Sequence, residues 1–366
     1  MTLRVALLTP AGRGALAVVG VAGTHALETV ARLFSPRGRC PLASRTEGGI
    51  VVGRWGDSER GEELVVVRRS ADSLEVHCHG GLAASEAVLA SLEAVGAVRQ
   101  PWAEFLSADG MGEIAVEARK ALAQSAGPKA ARILCRQLVG CLQAEFDRIE
   151  FMLREGEQAT AHVIVQRLRR VSRVGLRLTR PWRVVLVGPV NSGKSSLVNA
   201  LAGYARCIVS AQPGTTRDLL ETRIVLGGWE IDLIDTAGLR PACDDGDVSP
   251  TERAGIDRAI AAAAKADLVV EIQDSHSQKP TSQERDQGVK AMCVVTKADL
   301  SPRVPPAPAD PIRTSAVTGE GIDMLAASIV RSLVPEEAED PSFLAAAVPF
   351  TQRHARLLDT FAHRLQ

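Results

Sequence analysis

The stretch GPVNSGKSS at residues 188–196 decides the fold of the second half of the chain, and it directly follows the apolar run WRVVLV at 182–187. Its spacing, G-x4-G-K-S, matches the Walker A phosphate-binding loop, which lies between a strand and a helix. The glycines let backbone N–H groups approach phosphate oxygens, and the positive end of the helix dipole adds to the attraction. We expect Lys194 to reach the β- and γ-phosphates and the Ser195 hydroxyl to ligate Mg²⁺. The motif therefore predicts a nucleoside triphosphate site.

Two motifs further along the chain predict the elements that sense the γ-phosphate. GTTRD at 214–218 offers Thr216 as a switch hydroxyl for Mg²⁺ and the γ-phosphate. DTAG at 235–238 ends an apolar run, so we expect Asp235 to hold Mg²⁺ through water and the Gly238 N–H to bind the γ-phosphate. Elements of this kind become ordered on a triphosphate and relax after hydrolysis.

Two more motifs predict that the base is guanine. TKAD at 296–299 places Asp299 to accept hydrogen bonds from the guanine N1–H and 2-amino group, and Lys297 to lie over the base. Adenine lacks that pair of donors, so ATP would leave a buried carboxylate unsatisfied. TSA at 314–316 offers the Ala316 N–H to the guanine carbonyl. The five motifs in this order predict a GTPase rather than a general ATPase.

The motifs together define two sets of candidate residues. The catalytic set is Lys194, Thr216 and Gly238. The GTP-binding set is Asn191, Ser192, Gly193, Lys194, Ser195, Ser196, Ser210, Gln212, Gly214, Thr215, Thr216, Asp235, Thr236, Ala237, Gly238, Thr296, Lys297, Asp299, Ser315 and Ala316.

Two positions depart from the commonest forms of these motifs. Thr296 replaces the more common Asn, so we expect a hydrogen bond to the phosphate loop to be lost. Leu239 follows DTAG, where Ras-type GTPases place the Gln that orients the attacking water. Hydrolysis therefore requires a different catalyst.

Hydrophobic periodicity divides the chain into segments of different character. Residues 1–111 are predicted to form a mixed α/β domain. A helical domain is predicted in two parts, 112–180 and 341–366. Between these parts, residues 181–335 are predicted to form a doubly wound α/β G domain. Long helical patterns run over 129–154 and 156–178, and PEEAEDPS at 335–342 reads as an acidic linker. We expect the last helix to return to the helical bundle.

Composition excludes several classes of protein. Lys and Arg together number 43, as do Asp and Glu, which argues against broad nonspecific nucleic-acid binding but allows a local basic face. Aromatic residues make up 3%, too few for base-stacking platforms. Seven cysteines without a C-x-x-C pair argue against a disulfide framework or zinc knuckle. No signal peptide or membrane-length apolar run is evident, so we expect a cytoplasmic protein.

The motifs resemble those of the tRNA modification GTPase MnmE family, also called TrmE. The family's G-domain hallmarks stand here as GPVNSGKSSLVNALAG (188–203), IVSAQPGTTRD (208–218) and IDTAGLR (234–240). Weaker matches extend the resemblance to nearly the whole chain: TPAGRGALAVVGVAG (9–23), LEVHCHGG (74–81) and RHARLL (353–358).

The resemblance implies an α/β multidomain architecture. The family has an N-terminal folate-binding and dimerising domain, followed by a discontinuous helical domain into which a P-loop G domain is inserted. This order matches the segments read from periodicity. A tetrahydrofolate derivative would then lie near Glu75.

The resemblance also implies how GTP is used. Ser195 and Thr216 would ligate Mg²⁺, and the G domains of a homodimer would associate with the help of K⁺. K⁺ supplies the positive charge that other systems take from an arginine finger, and its ligands here would be Asn191, Ser210, Gln212 and Thr215. With the flavoprotein partner MnmG, the family modifies the wobble uridine of certain tRNAs.

Several positions depart from the family pattern. Pro241 stands where a Glu that positions the attacking water is expected, so we expect slow hydrolysis. The sequence ends at FAHRLQ, before the C-I-G-K motif whose Cys the family needs for modification. Gly20 stands where an Arg of the folate pocket is expected, and LSADGMGE at 106–113 lacks the usual Lys.

These departures keep two alternatives open. One is a shortened paralogue that uses GTP as a conformational signal without tRNA chemistry. The other is a ribosome-assembly GTPase of the Era or Der type, although neither a KH domain nor a tandem G domain is evident in the sequence.

Two further patterns have a functional and a structural interpretation. His77 and His79 share one face of a predicted strand, which allows two metal ligands, but no third ligand lies near and the family resemblance explains the stretch. Seven arginines form a run without an acid, and we favour a solvated helix face balanced by acids elsewhere over contacts with tRNA phosphate or the G domain. These are Arg167, Arg169, Arg170, Arg173, Arg177, Arg180 and Arg183.

Overall fold

The computed structural model forms two compact units, Met1–Val116 and Glu117–Gln366. Each unit has its own β-sheet. The residues that the structure describes are 2–10, 14–38, 41–56, 61–125, 127–189, 191–205, 220–235, 264–274, 290–300 and 311–365. No helix within these ranges is long and apolar enough to cross a membrane.

The first unit is built on a seven-stranded sheet with the order β3-β4-β5-β6-β2-β1-β7. Neighbouring strands pair antiparallel except β1 and β7, which run parallel. The strands are β1 (Arg4–Leu7), β2 (Leu16–Ala22), β3 (Phe34–Pro36), β4 (Ile50–Trp55), β5 (Glu62–Arg68), β6 (Ser73–His79) and β7 (Val98–Arg99). The helices are α1 (Ala26–Leu33), α2 (Leu82–Ala94) and α3 (Trp102–Ala108).

Alternating side chains give this sheet two different faces. Leu74 and Val76 of β6 are buried in the larger core together with Leu89 of α2. On the opposite face, Gly20 of β2 lies against the ring of Phe105 from α3. A Cβ atom at Gly20 would lie 2.6 Å from Phe105 Cε1, so this strand and helix approach each other only because position 20 is glycine.

The second unit contains a six-stranded sheet with the order β13-β12-β11-β8-β10-β9. All neighbours run parallel except β9, which is antiparallel to β10, so the predicted parallel sheet carries an antiparallel edge. Every residue of β10 is buried, as is typical of a strand covered on both faces. The strands are β8 (Trp182–Val187), β9 (Leu220–Leu226), β10 (Trp229–Asp235), β11 (Leu268–Asp274), β12 (Lys290–Thr296) and β13 (Ile312–Arg313).

The helical pattern predicted as one helix over 129–154 is two helices. Gly140 separates them and has φ of 97°, a left-handed conformation that glycine adopts without strain. The helices outside the sheet layer are α4 (Glu113–Gln124), α5 (Pro128–Leu138), α6 (Cys141–Glu155) and α7 (Gln158–Gly175). Helices α8 (Lys194–Ala205) and α9 (Ile322–Leu333) accompany the sheet, and α10 (Gln352–Arg364) is the last helix.

Helix α10 packs on the other helices, as predicted. Phe361 meets Phe146 of α6 edge to face, with ring centroids 5.8 Å apart. His354 is fully buried, and its Nε2 lies 2.7 Å from the Glu117 carboxylate of α4. Arg353 donates two hydrogen bonds of 2.8 and 2.7 Å to the same carboxylate. Burial alone would raise the pKa of Glu117, but the hydrogen bonds from Arg353 and His354 outweigh it and lower the pKa to about 2.

The segment predicted as an acidic linker is part of the packed structure. It contains the 3-10 turn Glu336–Ala338, in which Ala338 is buried, and a second turn, Phe343–Ala345 with a buried Phe343, follows directly after it. Ala338 is the one buried residue of 335–342, so the acidic connection is exposed over most of its length but is held at this point.

Glu339 of this segment joins the sheet to the helices. Its carboxylate accepts hydrogen bonds from Lys129 Nζ of α5 at 2.6 Å and from Trp229 Nε1 of β10 at 2.8 Å. Lys129 Nζ also lies 5.6 Å from the centroid of the Trp229 ring, within the range of a cation–π interaction. We call Trp229, Lys129 and Glu339 the Trp229 clasp.

A second junction lies where the chain passes from α7 into β8. The Arg177 guanidinium pairs with the Asp267 carboxylate and lies 5.0 Å from the centroid of the Trp182 ring. The Arg183 backbone N–H donates to the other oxygen of Asp267 at 2.8 Å. One carboxylate therefore fixes both sides of this connection.

Candidate nucleotide-binding site

The described parts of the predicted motifs converge at the carboxyl ends of the parallel strands, where open α/β sheets bind their ligands. Gly188 follows β8, Asp235 ends β10, Asp274 ends β11 and Thr296 ends β12. Residues that are far apart along the chain therefore lie side by side at one edge of the sheet.

Backbone conformation shapes the phosphate loop. A Cβ atom at Gly188 would lie 2.5 Å from the carbonyl oxygen of Ile272, so glycine is required there. Gly193 has φ of 86°, and Asn191 has φ of 60°, a left-handed conformation that Asn tolerates better than most side chains. Both residues turn the loop around the space in front of α8.

Lys194 folds back over the loop. Its Nζ donates hydrogen bonds to the carbonyl oxygens of Gly188 at 2.9 Å and of Pro189 at 2.7 Å. The side chain is buried, and this burial lowers the pKa of Lys194 while the nearby Asp235 opposes the shift. The cation is thus held at the mouth of the loop, where phosphate oxygens can replace the two carbonyls.

Ser195, one of the two predicted magnesium ligands, lies beside Asp235, which is predicted to hold the ion through water. Ser195 Oγ donates to Asp235 Oδ2 at 2.6 Å, and Asp235 is buried. A hydroxyl and a carboxylate are both hard oxygen ligands, so this donor set fits Mg²⁺.

Thr296 corrects an expectation drawn from the sequence. Its Oγ1 donates to the carbonyl oxygen of Ser192 at 2.5 Å and lies 3.2 Å from that of Gln273. The hydrogen bond between the base-binding motif and the phosphate loop is therefore kept, with a hydroxyl in place of the usual amide. The short distance between β12 and the loop makes this possible, since a Thr side chain reaches less far than Asn.

A cavity of about 240 Å³ opens between the phosphate loop and the base-binding motifs. Apolar side chains form part of its wall, and Lys297 and Asp299 supply charge. The lining residues are Gly193, Ser196, Leu197, Thr296, Lys297, Asp299, Leu300, Thr314, Ala316 and Val317. The cavity brings three separate motifs together, as expected of a guanine pocket.

Ser315 positions the carboxylate that is expected to recognise guanine. It is fully buried, and its Oγ donates to Asp299 Oδ1 at 2.5 Å. Asp299 itself is exposed and lines the cavity. Lys297 has φ of 59°, and its Nζ donates to Asp274 Oδ2 at 2.7 Å.

Sequence reasoning missed several residues of this site. Asp274 was not assigned, although a carboxylate at the end of the run DLVVEIQD is the same signal that identified Asp235. The apolar walls Leu197, Leu300 and Val317 carry no motif, because many residue types satisfy a wall contact.

Eight of the predicted site residues lie outside the described residues, as do Leu239 and Pro241. The eight are Ser210, Gln212, Gly214, Thr215, Thr216, Thr236, Ala237 and Gly238.

The predicted folate residue Glu75 is engaged in ion pairs within the first unit. Its Oε2 accepts from Arg69 at 2.6 Å and lies 3.0 Å from His77 Nε2. Burial would raise the pKa of Glu75, but the hydrogen bonds from Arg69 and His77 lower it. The second histidine of the stretch, His79, contacts Glu62 through Nδ1 at 2.8 Å.

Acids elsewhere balance part of the arginine run, as the favoured interpretation predicts. Arg167 pairs with Glu145 of α6 at 2.7 Å, and Arg169 pairs with Asp359 of α10 at 2.9 Å. Arg177 pairs with Asp267, as described for the connection to β8.

The mostly parallel sheet, the phosphate loop and the adjoining base pocket define a P-loop GTPase. A family model described as a 50S ribosome-binding GTPase matches residues 183–298. The G domain of the FeoB iron transporter of T. maritima is 28% identical over 42% of this chain and 99% of that chain, with a TM-score of 0.29.

Similarity over the whole length identifies the family. The tRNA modification GTPase MnmE of Thermus thermophilus is 33% identical over 400 residues, covering 99% of this chain and 88% of the relative. The MnmE of Chloroflexus aurantiacus is 34% identical, covering 90% of this chain and 81% of the relative. The chain belongs to the tRNA modification GTPase MnmE family.

Proposed function

We propose that the protein binds and hydrolyses GTP in support of modification of the wobble uridine of tRNA. One observation carries the proposal: the phosphate loop, the base pocket and the Ser195–Asp235 pair lie together at one edge of the sheet. The similarity to MnmE proteins over 99% of the chain supplies the tRNA part of the proposal.

Each described site residue has a defined task in this reaction. Lys194 exchanges its two carbonyl partners for phosphate oxygens. Ser195 and Asp235, together with Thr216 outside the described residues, would hold Mg²⁺, which would neutralise charge on the phosphates. Asp299, oriented by Ser315, selects guanine. With neither Leu239 nor Pro241 able to orient water, we expect hydrolysis to be slow.

Potassium is part of the proposal. Asn191, in its left-handed conformation, would hold K⁺ together with Ser210, Gln212 and Thr215. The ion would supply positive charge beside the phosphates when two G domains associate in a homodimer.

The proposed architecture follows the family. Residues 1–111 would form a dimerising domain of the folate-binding type, 112–180 and 341–366 a helical domain, and 181–335 an inserted G domain. The partners would be the flavoprotein MnmG and tRNA, in the cytoplasm.

The described residues do not fit a folate ligand at Glu75. Its carboxylate is already bound by Arg69 and His77. Position 20 provides no cation, and Phe105 occupies the space that a side chain there would need. No folate step is therefore part of the proposed function.

Two measurements test the proposal. Purified protein should bind GDP and GTP, and its GTP hydrolysis should be faster in KCl than in NaCl, whereas Lys194→Ala should lack both activities. Expression in cells without the authentic enzyme should restore wobble-uridine modification, measured by mass spectrometry of tRNA. Intact GTP binding without restored modification would select the alternative in which the protein is a GTP-dependent switch.

A further inference from the structure

We propose that the outward face of helix α7 is a binding surface for the phosphate backbone of tRNA. The inference rests on the proposed function and adds the place where the RNA is held. We define the α7 basic face as Gln166, Arg170 and Arg173, three exposed residues on the side of the helix that faces away from its buried stripe.

The neutral total charge of the chain conceals a strong separation of charge. Residues 117–180 contain 13 Lys or Arg against six Asp or Glu. Residues 181–348 contain 16 Lys or Arg against 23 Asp or Glu. The helical segment before the sheet is therefore the basic part of the molecule, and a polyanion would be attracted there rather than to the sheet.

Helical periodicity places the α7 basic face opposite the core. Up to residue 168 the buried stripe of α7 consists of Ala161, Ile164, Val165 and Leu168, and the last turn of the helix also buries Val174 and Gly175. At 100° per residue, Arg170 and Arg173 lie on the far side of the helix from this stripe. Both are exposed, and neither forms an ion pair among the described residues.

The two margins of this face are fixed by ion pairs. Arg167 lies on one side and pairs with Glu145 of α6, and Arg169 lies on the other side and pairs with Asp359 of α10. These contacts explain part of the arginine run as structural. They leave Arg170 and Arg173 between them, on a helix that its neighbours hold in place.

The chemistry of the face suits phosphate oxygens. Two arginines three positions apart on a helix are neighbours, and each guanidinium can bind a phosphate through two parallel hydrogen bonds. An anionic membrane would need an apolar stripe beside the basic residues, yet Val163 is the one large exposed apolar side chain along this described side of α7. A phosphodiester backbone is therefore the favoured partner.

The experiment measures binding of a fluorescently labelled tRNA transcript to the full chain at KCl concentrations from low to physiological. We expect the double variant Arg170→Glu, Arg173→Glu to bind at least about tenfold more weakly than wild type. We also expect the slope of log affinity against log salt to become shallower by about 1.5, since each lost phosphate contact removes about 0.7–0.9.

A matched control carries the same charge change elsewhere. Arg32 and Arg45 are exposed residues of the first unit, and the double variant Arg32→Glu, Arg45→Glu should bind tRNA as wild type does. GDP affinity should be unchanged in both double variants, which shows that the G domain remains folded. The conservative variant Arg170→Lys, Arg173→Lys should retain most of the salt slope.

Three results would overturn the inference. The first is equal tRNA affinity and salt slope for the α7 and control variants, which would leave the proposed function standing if wobble-uridine modification persists. The second is that the α7 double variant binds tRNA as tightly as wild type does but no longer binds phosphatidylserine vesicles that the wild type binds. The third is absence of tRNA binding and of modification in the wild type, which would overturn the proposed function as well.

Discussion

Replacement of Thr296 by Val tests whether the phosphate loop is anchored to the base-binding strand. Valine keeps the branched shape of threonine, so packing at this buried position is preserved, but the donor to the Ser192 carbonyl is lost. A buried acceptor left without a partner costs about 1–3 kcal/mol. If the loop relaxes in the free protein, that cost appears in binding, as a GDP dissociation constant about 5- to 150-fold higher. If the loop does not relax, the same cost appears as a lower free energy of unfolding.

Both quantities therefore have to be measured on the same preparations. GDP affinity is obtained by titration with a fluorescent GDP analogue, and the free energy of unfolding by urea denaturation followed by circular dichroism. Thr296→Ser, which keeps the hydroxyl, should stay closer to wild type in binding than Thr296→Val. The reasoning fails if Thr296→Val matches wild type within about 0.3 kcal/mol in both measurements.

Three other contacts give predictions of the same kind. Ser315→Ala removes the donor that orients the exposed Asp299 carboxylate, so GDP affinity should fall about fivefold, and an unchanged dissociation constant would argue against this role. The pKa of Glu117 is lowered from 4.5 to about 2, so the stability that its carboxylate contributes is complete above pH 4.5 and is lost as the pH falls toward 2. Glu117→Gln should therefore lower the free energy of unfolding by up to about 3 kcal/mol at pH 7 and by less at pH 3. Urea denaturation at the two pH values measures this difference. Trp229→Phe should cost about 1–2 kcal/mol of stability, while Trp182→Phe should cost less because the buried Trp182 Nε1 has no hydrogen-bond partner among the described residues.

The site was predictable from sequence wherever a short motif fixes its own local geometry. The phosphate loop and the base motif are of this kind, because each lies at a strand end and the parallel sheet brings strand ends together. The bond from Thr296 to Ser192 was not predictable, because it depends on the distance between two segments 104 positions apart. The role of Ser315 likewise required the observed contact with Asp299.

The fold was predictable at the level of elements and less so at their ends. The pattern over 129–154 is periodic throughout, and only the left-handed conformation of Gly140 divides it. The acidic segment around Glu339 looks solvated in sequence, yet its carboxylate is used by Lys129 and Trp229. Composition describes residues one at a time, whereas the contacts of Glu339 depend on residues that are far apart in the chain.

The Trp229 clasp cannot form during synthesis until Glu339 has been added to the chain. Its ends, Lys129 and Glu339, are 210 positions apart, and Trp229 lies between them. The ribosome releases Lys129 first and Glu339 last, so Trp229 emerges long before its acceptor exists. The strand that ends in Asp235 therefore leaves the ribosome more than a hundred residues before the acceptor of the Trp229 indole N–H has been synthesised.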